Sequence, residues 1–460
     1  MIKQMHLNGF TQCCINHHSE GMWKHPLDGT QRGYRDIHYW MELAKLLERG
    51  CFDSLFLADV HGTYSVYRDS RDTAVRHAVQ FPSNDPTVII PAMAAVTRHL
   101  GFACTYSTTY FAPYQTAKLF STLDHLTRGR VGWNVVTSYL ADANANFSIE
   151  EDLDHDARYD RADEYMDVVY KLWEHSWDED AVRRDAMGDV FTDPAKVHDI
   201  GHRGTWFQVP GPHMCEPSPQ RTPMIFQAGQ SGRGTRFAAR HAEAIFSVHP
   251  NLESCAKGAA ALRKAALEAG RRAEDVRICQ GVTVVVAPTD EEARMKFETC
   301  RRHASPEGAL ALFSGWAGVD VSQVSAEKPL DQFESNAIQG LLGYFKAADP
   351  GRAWTMRDIG EYMSVGSIMP KIIGSPQTVA DALETWMEEG DVDGFNLVPI
   401  TQPSGFRDFV ELVVPELQRR GRLRSAYEGN TLREHYFGAG QTRLPANHPA
   451  HRCVIPSRRR

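Results

Sequence analysis

The sequence contains no run of about 18 apolar residues, and its mean hydropathy is −0.40, so a membrane-spanning helix is not expected. Met1–His6 lacks the apolar stretch of an export signal, so the expected location is cytoplasmic. Cationic excess is also missing. Lys and Arg number 50 against 58 Asp and Glu, a net charge of −8, which argues against nucleic acid and anionic membrane as general partners. The nine cysteines form no C-x-x-C pair. Cys13 and Cys14 are adjacent and the rest are scattered, which reads as reduced thiols rather than a disulfide framework or zinc site. With 42% hydrophobic residues, 35 Gly and 24 Pro, nothing suggests disorder or a repeating fibre. A length of 460 residues leaves room for two or three domains, or for one elaborated α/β barrel.

What is present is a repeated order of short apolar strand, loop and amphipathic helix. Strands are expected at 5–10, 54–58, 101–107, 130–137, 223–228, 244–248, 281–287 and 394–399. Helices are expected at 36–48, 85–98, 114–126, 157–174, 234–241, 252–269, 289–302, 376–389 and 405–419. Eight strands alternating with helices point to a (β/α)8 TIM barrel over residues 1–420, with an open doubly wound sheet as the other arrangement periodicity allows. Two insertions interrupt the alternation, at about 176–222 after strand four and about 304–375 after strand seven; loops of that length in a compact domain are usually lids. Residues 421–460 carry eight Arg against two Glu, with Pro445, Pro449 and Pro456, and read as an extended C-terminal arm, across a subunit neighbour or disordered.

In a barrel the chemistry sits where strands end. His17 and His18 follow strand one, Asp59 closes strand two, Thr105 and Ser107 close strand three, and Asn134 lies on strand four. The turn Gly229–Gly234, holding Ser231 and Gly232, follows strand five and opens a helix. Amides there with a serine hydroxyl make a phosphate cradle, though the same glycines suit a plain tight turn. Their order is G-x-x-G-x-G, not G-x-G-x-x-G, which argues against a dinucleotide site. His155 and Tyr159 share a helical face and could reach an anion together, but their spacing alone reads first as a solvated helix start with the phenol packed inward. Adjacent histidines point to opposite faces of a strand, and strand four offers Asn134 rather than Lys. A catalytic metal is therefore not expected, and His17 or His18 reads as lining an organic pocket. Asp59 could hold a ring N–H or a ribityl hydroxyl, or simply cap its loop.

These residues sit inside longer segments that resemble a known family. The segments are GMWKHPLDG (21–29), ELAKLLERGCFDSLFLADV (42–60), NDPTVIIPAMAAVTRHLGFACTYSTTY (84–110), STLDHLTRGRVGWNVVTSY (121–139), HDARYDRADEY (155–165), FQAGQSGRG (226–234) and SPEGALALFSGWAGVD (305–320). Together they resemble the nitrilotriacetate/dibenzothiophene-sulfone monooxygenase branch of the bacterial luciferase-like flavin monooxygenases. The resemblance implies a TIM barrel and FMN contacts at Asp59, Thr105, His155, Tyr159 and Ser231. It also implies Asn134 facing the flavin ring and the phosphate at Ser231, Gly232 and Tyr159. The chain departs from the family pattern at Cys104, Tyr106 and the doubled His17-His18, close to the expected substrate.

The activity implied is that of a two-component FMN-dependent monooxygenase. A separate NAD(P)H:flavin reductase supplies reduced FMN, and one oxygen atom of O2 goes to a small organic substrate carrying nitrogen, sulfur or a heterocycle. His17 or His18 is the favoured catalytic donor, with His303 as a weaker choice and Phe10, Trp133, Trp206 and Trp316 as pocket walls. A homodimer or homotetramer is expected. Two alternatives share the fold: a reduced-flavin, O2-dependent lyase that cleaves a heterocycle such as riboflavin, and a non-catalytic flavin-binding protein.

Overall fold

The computed structural model describes residues 3–149, 153–229, 231–327, 329 and 343–455. Gln230, most of 328–342 within the second insertion and the last five residues of the arm lie outside them. Eight parallel strands close a barrel: β1 (His6–Gln12), β2 (Ser54–Ala58), β3 (Gly101–Ser107), β4 (Val131–Val136), β9 (Met224–Gln227), β10 (Ala244–Ser247), β11 (Arg277–Val286) and β13 (Gly394–Leu397). Pairings β10–β11 and β11–β13 complete the ring, and β1 joins β13 to β2. The open-sheet alternative is thereby excluded. All eight expected strands are found.

Each strand is apolar on both faces because each face meets its own core. Outward side chains such as Leu55, Phe102, Trp133 and Ile225 pack beneath the helices. Inward ones, Phe10, Phe56, Phe226 and Phe246, fill the bore, with edge-to-face ring centroids 4.5–5.7 Å apart. Trp133 therefore lies outside the barrel against Phe120 and Trp173, not in a pocket.

The helices that matter for the site are α1 (Ile37–Arg49), α2 (Ile90–Ala95), α3 (Pro113–Thr127), α4 (His155–Tyr170) and α5 (Gly232–His241). The single helix expected over 85–98 is instead a 3-10 turn, Pro86–Val88, followed by α2. Pro91 cannot donate to a continuous ladder, and the helix restarts around it. α4 begins at His155 because Asp154 caps it, its carboxylate accepting from the Ala157 amide at 2.8 Å. α5 begins two residues earlier than its apolar pattern suggests. Ser231 is its cap, accepting from the Gly234 amide at 3.0 Å.

β11 starts at Arg277, four residues before the expected strand, because its polar first half is paired on both sides inside the barrel wall. Its upper half, Thr283–Val286, leaves the ring and pairs with β12 (Lys371–Gly374). That fork carries the second insertion over the barrel mouth, with helices α6 (Pro306–Ala317) and α7 (Met356–Met363) packed on each other. The first insertion forms two small hairpins, β5–β6 (Val182–Asp185, Val190–Thr192) and β7–β8 (His202–Arg203, Gln208–Val209), and Trp206 lies in the second. The arm does not reach away. Its helix α8 (Leu432–Phe437) closes the bottom of its own barrel, where Leu432 and Tyr436 join the inner core and Arg433 meets buried Glu243 at 2.6 Å.

Candidate active site

A cavity of about 350 Å³ opens at the C-terminal ends of the strands, a size typical of ligand pockets. β2 contributes Asp59, β3 contributes Thr105 and Ser107, and the loop after β4 contributes Thr137 and Ser138. The start of α4 brings His155 and Tyr159, β9 ends in Gln227, and Gly229 follows it. Five expected cofactor contacts, Asp59, Thr105, His155, Tyr159 and Gly229, thus line one space although up to 170 residues separate them in sequence.

Asn134 sits one layer below. Its amide donates to Thr105 Oγ1 at 2.8 Å, and its carbonyl oxygen is buried without a partner. Ser231 Oγ lies 3.2 Å from His155 Nε2, which joins the cap of α5 to the start of α4 at one end of the cavity. At Gly232 an added Cβ would meet nothing within 4 Å. At Gly229 it would fall 2.6 Å from the Tyr159 hydroxyl and 2.4 Å from Gln227 Nε2, so only glycine lets the backbone approach there. An open glycine turn, a capped ten-residue helix and two neutral-donor side chains fit the phosphate of a mononucleotide.

Two acidic groups of the cavity are held neutral. Burial, with the Asp85 charge adding to it, pushes the Asp59 carboxyl up to about 8, so it is mostly protonated at neutral pH and able to donate. Burial likewise raises the Tyr159 phenol, which stays neutral.

His17 and His18 stand apart from this cavity, under the second insertion. Both are buried, their rings 4.0 Å apart. Phe10 lies 4.6 Å from His17, and Trp316 of α6 lies 5.7 Å from His18. Asn16 and His18 hold left-handed backbone (φ 54° and 62°), a conformation that non-glycine residues adopt at some cost and that clusters at functional sites. The insertion grips this loop, since the Gly366 amide donates to the His18 carbonyl at 2.9 Å. Both His17 ring nitrogens and His18 Nδ1 are buried without a partner. Burial, and for His17 the neighbouring His18, lowers both pKa values far below neutrality, so the rings are uncharged. Nearby Glu20 is buried with neither carboxyl oxygen bonded, and burial pushes it up to about 8. Such atoms are rare in folded proteins and mark places that a ligand or water completes.

His303 lies outside this group. It ends its helix with Nδ1 2.9 Å from the Thr299 carbonyl. Sequence reasoning missed Tyr139, Leu140, Ala143 and Arg158, which also line the cavity. Only Arg158 carried a signal, its place beside Tyr159 in the first turn of α4. Tyr139 and Leu140 come from the loop after β4, and Ala143 from the short helix Ala141–Asn146 that follows it, which the strand–helix pattern does not predict.

The chain is 48% identical to the long-chain alkane monooxygenase of Geobacillus thermodenitrificans, over 98% of both chains. It is 46% identical to the dimethyl-sulfide monooxygenase of Hyphomicrobium sulfonivorans, over 98% of this chain and 94% of the relative. It is 40% identical to the dibenzothiophene-sulfone monooxygenase of Rhodococcus erythropolis, over 94% and 96%. The crystal structure of the Hyphomicrobium enzyme superposes with a TM-score of 0.93, covering 98% of this chain and 96% of that one. That of a riboflavin lyase with modified FMN and riboflavin gives 0.89 at 34% identity, covering 99% and 100%. A family model described as luciferase-like monooxygenase matches residues 17–393, and with these whole-length relatives it establishes that the chain is a monooxygenase belonging to the luciferase-like monooxygenase family.

Proposed function

We propose that this chain is the oxygenase of a two-component system. It takes reduced FMN from a separate NAD(P)H:flavin reductase, together with O2, and places one oxygen atom on a small organic substrate. One observation carries this reading: Asp59, Thr105, His155, Tyr159 and Gly229 converge on one cavity that ends at the Ser231 turn. In this reading the Gly229–Gly234 turn, Ser231 and Tyr159 hold the phosphate. Asp59 and the Thr105–Asn134 pair face the ring system or ribityl chain. Bound reduced flavin supplies the electrons that activate oxygen. The protein's share is to orient the flavin and keep water away, with α6 and α7 of the second insertion as the cover. His17 or His18, outside the cavity lining, is in this reading a neutral imidazole with unbonded nitrogens that donates a hydrogen bond to substrate or oxygen where either reaches under the second insertion.

Anaerobic titration with reduced FMN tests the reading, and tight binding is expected. Ser231→Asp, which sets a carboxylate against the phosphate, should weaken it about tenfold; unchanged affinity would remove the cradle from the argument. If His17→Ala and His18→Ala both retain full coupled turnover, neither histidine is the donor.

The hydroxyl-rich rim favours a second reading. Ser107 and Ser138 hydroxyls meet at 2.8 Å beside Thr105 and Thr137, a lining suited to a polyhydroxylated substrate. Incubation with riboflavin, a flavin reductase and O2 decides it, lumichrome being the product that supports a lyase.

A further inference from the structure

The cradle that would hold the flavin phosphate is built from two separate helices, α4 and α5, and something must fix one against the other. Asp163 lies two turns into α4, on the side facing α5 and away from the cavity lining. Its carboxylate binds three side chains of α5: Arg233 with Nη2 2.5 Å away, His241 with Nε2 2.8 Å away, and Arg240 with Nη1 3.5 Å away. Asp160, one turn earlier, takes the same Arg233 nitrogen at 2.9 Å. Arg233 is the residue between Gly232 and Gly234, so the clamp grips α5 in its first turn. The guanidinium carbon also lies 5.5 Å from the centre of the Tyr159 ring.

The hydroxyl of Tyr159 would come within 2.6 Å of a Cβ at Gly229 and 2.9 Å of one at Gly234, so it stands between the two ends of the turn. Arg233 thus connects Asp163 to both walls of the cradle, the α5 backbone beneath it and the Tyr159 ring beside it. Arg233 and Asp163 are 14% and 20% exposed, shielded enough for the pairing to hold geometry rather than flicker as a surface ion pair does. Burial alone would raise Asp163, but His241 and Arg233 hold it near 2, so it stays ionised.

We infer that Asp163 and Arg233 are positioning residues that set FMN over unphosphorylated flavin, by locking the first turn of α5 and Tyr159 into the spacing a phosphate monoester requires. This rests on the flavin reading above. Neither residue touches the ring end of the cavity, so the clamp should act on the phosphate and leave the isoalloxazine and ribityl contacts alone.

The test uses the full-length protein and anaerobic titrations with reduced FMN and with reduced riboflavin. Wild type is expected to prefer reduced FMN. Asp163→Asn and Arg233→Met should each weaken reduced FMN about tenfold while reduced riboflavin stays within about twofold. The double variant should be little worse than either single, because both break one clamp. Arg233→Lys keeps the charge and should recover part of the affinity. Thermal midpoints without ligand show whether each variant is folded, and the conservative Lys variant keeps the test open if the Met variant is not.

Unchanged FMN affinity in folded variants would overturn the inference. So would equal loss for both flavins, which marks the clamp as structural only. A wild type that binds neither flavin, or prefers riboflavin, overturns the phosphate reading itself, and that result is visible before any variant is made.

Discussion

At the floor of the barrel Asp53 is fully buried, yet Arg424 lies 2.7 Å from its carboxylate and His6 lies 3.2 Å away. Burial alone would raise it, but these partners hold it at about 2. At the mouth Asp59 is almost as buried, with His61 at 3.5 Å and another acid, Asp85, acting on it, and it rises to about 8. Glu20, also at the mouth, has no bonded oxygen and is likewise pushed up to about 8. The same chemical group is ionised and spent at one end of the cylinder, and neutral and unspent at the other. At Asp53 the floor uses charge to hold the arm under the barrel, whereas the mouth leaves the Asp59 and Glu20 carboxyls neutral. This matches the general division of barrels into a stabilising and a functional face.

The largest expected effect would break the comparison at the floor. Arg433 gives Glu243 two bonds at 2.6 and 2.9 Å and donates further to the Thr222 and Thr442 carbonyls. Arg433→Met leaves Glu243 buried without its cation and should cost about 3–5 kcal/mol in urea unfolding. Flavin affinity, measured where the variant is still folded, should not change. A variant that loses flavin affinity without losing stability would show that the two ends are not separate.

Next in size is a change at the mouth alone. Gly229→Ala puts a methyl group against the Tyr159 hydroxyl and Gln227. Reduced FMN should bind about tenfold more weakly in anaerobic titration, with the urea midpoint lowered far less than in Arg433→Met. The reverse pattern would place Gly229 with the structural glycines.

The two ends also differ in how legible they were. The barrel was readable because a strand buried on both faces must be apolar throughout, and eight such runs are short and evenly spaced. The ends of α4 and α5 were close to readable, since Asp154 and Ser231 are good caps. The convergence of Asp59, Thr105, His155, Tyr159 and Gly229 was not in any local pattern. It came from resemblance, and the sheet order explains it, because strands two to five pair side by side and their C-terminal ends form one rim. His17 and His18 read as lining an organic pocket by their place after strand one. Their separation from the cavity depends on the fork of β11 toward β12, which brings α6 over that side of the mouth. β12 itself, Lys371–Gly374, is too short to stand out from the insertion around it. The arm read as extended, across a subunit neighbour or disordered, because its arginines and prolines gave no sign of a partner within the chain. Arg433 and Arg424 are basic for the opposite reason, as counter-ions to Glu243 and Asp53 inside the protein.

A further effect reads the comparison most directly, through pH. Asp53 has a lowered folded pKa, so it stabilises the fold above its unfolded value of about 3.9 and loses that contribution as pH falls toward 2. Asp59 has a raised folded pKa, so the sign is opposite. Its carboxyl favours the folded state fully below about pH 4. As pH climbs from there to about 8, the unfolded chain releases the proton that the folded chain still holds, and stability falls. Asp59→Asn removes that titration. In urea unfolding at a series of pH values, the variant should match the wild type near pH 4 and become progressively more stable than it toward pH 8. Asp53→Asn should be less stable than the wild type at pH 7, with the gap closing as pH falls. If Asp59→Asn instead tracks the wild type at every pH, Asp59 is ionised in the folded protein and the mouth holds a spent charge like the floor.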